Sequence, residues 1–265
     1  MPSAMERIRK RRAAISKLEE VSRNRETVML VHYSCESFYD RPEGRSPRIT
    51  SIAVRNLGNA QTTSFSIHQV AERRGIPPGE IKTQYDVLEK AMLEEWYEHV
   101  RRHAASRWLH WNMRDANYGF PAIAHRFRVL QGEPVEVEEA RLFDFAKLLI
   151  DIYGPGYTSH PRFQSLSQLN HISLKDFLAG QKEADAFDAG DYVKLHQSTL
   201  RKLDIMSNLF NRYEDGSLKT QNKWWQPYGS RVLGAGEWCK EHPVASLIVF
   251  ALAVSSVILA VVSLR

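Results

Sequence analysis

The sequence predicts a mixed α/β domain in which an antiparallel three-strand meander is followed by helices alternating with parallel strands, and an apolar helix closes the chain. Three observations carry that expectation. Short strand-like runs separated by tight turns fill the region from Glu26 to Val70. Apolar stripes at helical spacing dominate from Val87 to Phe210. The stretch from Val244 to Leu264, VASLIVFALAVSSVILAVVSL, has no charge and no proline.

In chain order, ETVMLVHYS is rich in Val, Leu and Tyr and reads as the first strand. PRITSIAVRNL, with Ile49, Ile52 and Val54, reads as the second. Gly58 and Asn59 supply a tight turn into TTSFSIHQV, where Phe65 and Ile67 alternate with polar residues as a third strand. RRGIPPGEIKTQ is a Pro- and Gly-containing loop. Val87, Leu88, Met92, Leu93, Trp96 and Val100 then mark a helical stripe ending near Arg102. SRWLHWN suits a fourth strand, and ANYGFPAIAHRFRVL the helix after it, with Pro121 in the first turn. Leu142, Phe145, Leu148 and Leu149 predict a helix over 141–152, SLSQLN and SLKDFL predict short helices, and Tyr192 to Tyr213 predicts a long one. A meander followed by alternation argues for a mixed sheet with helices on its faces.

The chain has 265 residues, 43% of them hydrophobic, enough for one sizeable core with appendages. A net charge of +5 permits a polyanionic partner without requiring one. Arg7, Arg9, Lys10, Arg11, Arg12, Lys17, Arg23 and Arg25 make residues 1–25 a basic, partly helical arm, suited to nucleic acid or to anionic lipid headgroups. With Cys35 and Cys239 alone, neither a disulfide framework nor a cysteine zinc site is expected. Residues 243–264 are long enough to cross the roughly 30 Å hydrocarbon layer as a transmembrane helix. Trp224, Trp225, Tyr228 and Trp238 precede it as an interfacial belt, and the basic residues on that side predict a cytoplasmic body with a C-terminal anchor. The basic start is followed by no apolar segment, so no secretory leader is expected. The resulting organisation is an arm (1–25), a folded domain (26–213), a juxtamembrane linker (214–242) and the anchor.

Several motifs share an order with one known group. A strand leads into Ser34-Cys35-Glu36, a second strand reads ITSIAV, a third reads TTSFSIH, WNMRDANYGF stands just before a helix, and LRKLDIMSNLF places Asp204 in a late apolar helix. This order resembles the ribonuclease H-like 3′-5′ exonucleases whose sites hold four acidic metal ligands, over roughly residues 26–213. The resemblance implies a ribonuclease H-like fold and phosphodiester hydrolysis of single-stranded nucleic acid or short oligonucleotides. Two Mg²⁺ or Mn²⁺ ions about 4 Å apart would activate water and stabilise the leaving oxygen. It makes Glu36, Asp115 and Asp204 the catalytic candidates, with Glu36 and Asp204 as metal ligands. Three positions differ from the family pattern, one of them in WNMRDANYGF, where Asn117 rather than Asp115 falls at the family position. The first acid is Ser34, and the general base falls at Thr199 or Leu200, neither of which takes a proton.

The residues themselves allow a second set of roles. Glu36 is equally a strand-end carboxylate satisfied by backbone donors or an arginine, Asp204 equally an ion-pair partner, and Asp115 a preferred helix N-cap. Arg107, Trp111 and Arg114 form a candidate nucleic-acid surface, although aromatic residues in such elements are more often core. Two functions follow: a membrane-tethered exonuclease, or an inactive membrane-anchored binding or adaptor module that keeps the cleft for a nucleotide or protein ligand.

Overall fold

In the computed structural model, residues 4–37, 46–114 and 118–222 are described. Strand β1 (Val28–Cys35) lies at the centre of a five-stranded sheet. Antiparallel to it runs β2 (Ile49–Asn56), which pairs antiparallel with the edge strand β3 (Thr62–Ser66). On the other side β4 (Arg107–His110) and then β5 (Leu142–Asp144) run parallel to β1. The order is therefore β3-β2-β1-β4-β5, with the change from antiparallel to parallel at β1.

Because side chains alternate along a strand, β1 divides its residues between two cores. Met29, Val31 and Tyr33 pack under α3 (Tyr85–Arg102) and α4 (Phe120–Val129). Val28 and Leu30 face the opposite layer of α1 (Ala4–Arg23), α5 (Phe145–Tyr153) and α8 (Tyr192–Glu214). Three shorter helices, α2 (Ile67–Arg73), α6 (Arg162–Leu169) and α7 (Gln181–Asp188), complete the layers.

The meander, α3, β4, α4 and α8 stand where the sequence places them, and three expectations are corrected. The third strand stops at Ser66, and Ile67 begins α2 instead of continuing the alternation. The helix expected over 141–152 begins at Phe145, because Leu142–Asp144 add to the edge of β4 as β5 and Asp144 then caps α5, accepting from Lys147 N at 3.2 Å. SLKDFL is a turn rather than a helix, with Asp176 at φ 64°, and the helix of this region is α7. The helical part of the basic arm is α1, and it packs on the domain: Ala14, Leu18 and Val21 are buried in the second core, and Arg11 Nε donates to Ile152 O at 3.1 Å. Among the described residues no helix is long and apolar enough to cross a membrane. The expected anchor at 243–264, its aromatic belt and most of the linker lie outside the described residues.

On the α3 face a buried ion pair locks three elements. Glu89 is fully buried, and both its oxygens accept from Arg126 Nε at 3.0 Å while Oε1 also takes the Ile49 amide at 2.6 Å. Arg126 Nη2 reaches Glu89 and Asp86 at 2.6 and 2.8 Å. Tyr85 donates to Ile49 O at 3.0 Å. Helices α3 and α4 are thereby tied to the start of β2.

Candidate functional site

The candidate site lies where β1 runs out under α8. A register shift between Ser34 and Cys35 puts an additional β2 residue, Thr50, opposite the strand end, and its hydroxyl donates to Ser34 O at 2.9 Å. Bulges of this kind re-aim side chains near the ends of strands. Ser34 keeps its hydroxyl on the α8 side, in register with Ser51 of β2.

Four hydroxyl and carboxylate groups then form a chain whose direction is fixed by what each can donate. Ser34 Oγ lies 3.0 Å from Glu183 Oε1 of α7, and a carboxylate only accepts, so Ser34 spends its proton there. Thr199 Oγ1 sits 2.7 Å from Ser34 Oγ and 2.7 Å from Ser51 Oγ, so Ser34 accepts from Thr199 and Thr199 from Ser51. The Thr199 proton is shared with Leu195 O, 2.9 Å away. At the end of the chain Lys202 Nζ meets the same Glu183 oxygen at 2.6 Å. Both members of that pair are largely enclosed, with side chains 9% and 21% exposed.

The wall beside this chain is aromatic and holds a histidine. The Lys202 ammonium stands 5.3 Å from the centre of the Phe177 ring, which stacks on Phe163, and Phe163 stacks in turn on His32. His32 is buried and its Nε2 meets no hydrogen-bond partner among the described residues. Burial first, and the Lys202 charge second, hold its pKa well below the ordinary histidine value, so the ring is neutral. The Ser34 hydroxyl is engaged by Thr199 and Glu183 rather than by His32, so the pair is not a nucleophile with its base. On the opposite face Tyr118 donates to Tyr33 O at 3.0 Å, and Tyr33 Oη accepts from Gly119 N at 3.1 Å, which ties the segment after β4 to β1. Any side chain at Gly119 would meet the Met113 carbonyl at 2.6 Å.

Two of the acids proposed from the sequence, Glu36 and Asp204, are engaged elsewhere. Glu36 follows β1 and closes a backbone pair with Arg48: its amide donates to Arg48 O at 2.8 Å and its Oε2 accepts from Arg48 N at 3.2 Å. Asp204 is ion-paired with Arg55 and lies 3.9 Å from Arg201. Arg55 stands opposite Leu30 in the sheet, and at about 3.3 Å per residue the path from Leu30 to Glu36 is about 20 Å. Glu36 and Asp204 are thus each engaged by a different arginine, at separate places along the sheet. The helix explains the displacement: Asp204 is two residues past Lys202, about 200° around α8, so it turns away from the side that faces Ser34. Asp115 lies outside the described residues.

The candidate nucleic-acid residues are also apart. Arg107 starts β4 and pairs with Glu20 of α1 at 2.7 Å, whereas Arg114 lies beyond the other end of that strand and pairs with Asp144 at 2.7 Å. Trp111 is buried against Phe145 and Phe163, so it has no face on which a base can stack. An aromatic residue just past a central strand completes the core before it serves a surface.

At Ser34, where the resemblance implies an acid, and at Thr199, where it implies the general base, hydroxyls stand instead, beside the Lys202 ammonium and the single Glu183 carboxylate, fewer anionic oxygens than a pair of Mg²⁺ or Mn²⁺ ions calls for. Among the described residues no three His, Cys, Asp or Glu side chains stand together as a metal cage. Sequence reasoning missed Lys202, Glu183 and His32. The available signal was the spacing of Thr199 and Lys202, one turn apart, with a lysine set between Thr199 and Leu203 on an apolar helix face. Comparison with protein-family models, curated proteins and solved structures finds no match to this chain.

Proposed function

We propose that this chain is a binding module that does not hydrolyse its ligand, and that it uses the polar site at the end of β1 to hold an oxyanion such as the phosphate of a nucleotide or of an oligonucleotide end. The strand order, with its switch at β1, supports reading the domain as ribonuclease H-like. The apolar run at 243–264 supports a module tethered to a membrane. The observation that carries the reading is the Lys202 ammonium, set beside the Ser34 and Thr199 hydroxyls, which stand where the resemblance implies an acid and a general base. Glu183 already fills this position with an oxyanion, held by Lys202 and Ser34 together. A phosphate has the same acceptor chemistry and competes for the same donors.

Full-length protein in detergent is titrated against a fluorescein-labelled oligothymidylate by anisotropy, and incubated with it and Mn²⁺. The expected result is saturable binding, weakened about tenfold or more by Lys202→Ala, with the oligonucleotide left intact. Cleavage that depends on Mn²⁺ and disappears in Glu36→Ala would restore the hydrolytic reading. Absence of any binding would leave the polar site with a protein ligand or none.

A further inference from the structure

Two histidines outside the polar site face each other between α2 and α8. His68 stands in the first turn of α2 and His196 on α8, with ring centres 5.1 Å apart and planes inclined at 49°. His68 Nδ1 and His196 Nε2 are both buried, and neither meets a hydrogen-bond partner among the described residues. Two neutral imidazoles at this distance can satisfy each other through one N–H···N bond, yet these do not. Leaving two ring nitrogens buried and unpaired carries a desolvation cost with nothing in return.

One ion between them removes that cost. With Zn–N bonds of about 2.1 Å and a tetrahedral angle, the centres of two imidazoles on the same ion lie about 5 Å apart, close to the spacing seen here. We propose that His68 Nδ1 and His196 Nε2 are the protein ligands of a divalent zinc-like transition metal, with the remaining positions taken by water or an external ligand. Imidazole selects zinc, copper or nickel over magnesium and calcium, so this ion differs in class from those the nuclease resemblance implies.

Two further features fit. Burial, the first cause in both rings, lowers the pKa of His68 and takes that of His196 to about 4, so both rings are in the neutral form a metal requires. Glu72 lies one turn beyond His68 on α2, and its charge acts on His68 as the second cause, opposing burial. The site is independent of the oxyanion reading, since it uses neither Lys202 nor Glu183.

The test uses the full-length protein stripped with EDTA and titrated with Zn²⁺ by calorimetry, then with Co²⁺ by visible absorption. The expected result is uptake saturating near one ion per chain and a Co²⁺ ligand-field band. His196→Asn and His68→Asn should each lower affinity by more than the 10- to 100-fold (roughly) typical of losing an outer hydrogen-bond partner of a ligand. His171→Asn, at an exposed turn, should leave uptake unchanged. His68 is only half-buried, so that variant keeps the test valid if His196→Asn fails to fold. No uptake by the wild type would overturn the proposal, as would uptake that survives both substitutions or is lost equally in His171→Asn.

Discussion

The two faces of the central sheet bury charged and polar groups in opposite ways. Under α3 and α4, the Glu89 carboxylate is saturated by the Arg126 fork and the Ile49 amide, and its neighbours Asp86 and Tyr85 are engaged in the same network. Under α8, the chain from Ser51 to Glu183 ends on a lysine, and three histidine nitrogens, on His32, His68 and His196, stay without partners among the described residues, as does His99 Nε2 on α3 outside the Glu89 network. The difference lies between the Glu89 network and the chain that ends on Lys202. A saturated buried network specifies how elements dock and leaves no valence for a ligand, whereas unsatisfied buried donors and acceptors are affinity held in reserve.

The sharpest way to break the comparison is to unsaturate the scaffold face. Arg126→Ala strands Glu89 in the core, and the expected loss is about 3–5 kcal/mol of unfolding free energy, read from urea denaturation. Replacing both partners with apolar residues, Glu89→Leu with Arg126→Met, should recover most of it, because the cost lies in the orphaned charge. If the single and double variants are equally unstable, packing rather than charge is what the pair contributes.

Acid should weaken the fold next most. Burial takes His99, His110 and His196 to about 4 and holds His32 well below its ordinary value. A histidine with a lowered folded pKa favours folding while neutral. Its contribution is therefore complete above about pH 6.5 and is lost as pH falls toward the folded value, by up to about 1.4 kcal/mol per pH unit for each ring. Glu89 has the opposite sign: burial pushes it up to about 7 against the pull of Arg126, so its contribution declines as pH rises through that value. The net expectation is a fall in the urea midpoint between pH 6.5 and 4.5 that is shallower than four histidines alone would give. A midpoint independent of pH in this window would show that the rings are not buried as described.

On the site face the expected effects are smaller in stability and larger in binding. Glu183→Gln keeps the shape of α7 and removes the charge that occupies Lys202, so oligonucleotide affinity should rise several-fold at a stability cost of about 1–2 kcal/mol. Unchanged or weaker binding would mean that the ligand uses Glu183 itself.

Much of the scaffold was legible in the sequence and little of the site was. The meander and α3, α4 and α8 rest on periodicity and turn chemistry, which are local. Strand β5 was not legible, because three residues acquire strand character only from β4 beside them, and LFDFAKLL read alone has a helical stripe. The polar site was missed for a related reason. Glu36, Asp115 and Asp204 were proposed from motif order, whereas Lys202 and Glu183 meet through the docking of α7 on α8, which no sequence spacing records. Ser34 and Thr199 were visible as departures from the expected acid and base, and the hydrogen bond joining them is what the sequence withheld.

Asp204 supplies the smallest prediction and a strict control. Its pairing with Arg55 and Arg201 is partly exposed, the side chain being 42% accessible, and such pairs contribute about 0–1 kcal/mol. Asp204→Ala should therefore shift the urea midpoint barely and leave oligonucleotide binding at its wild-type value. The motif reading requires the reverse, since there Asp204 is a metal ligand and its loss abolishes function. One substitution thus discriminates between a site defined by sequence order and a site defined by which side of α8 faces Ser34.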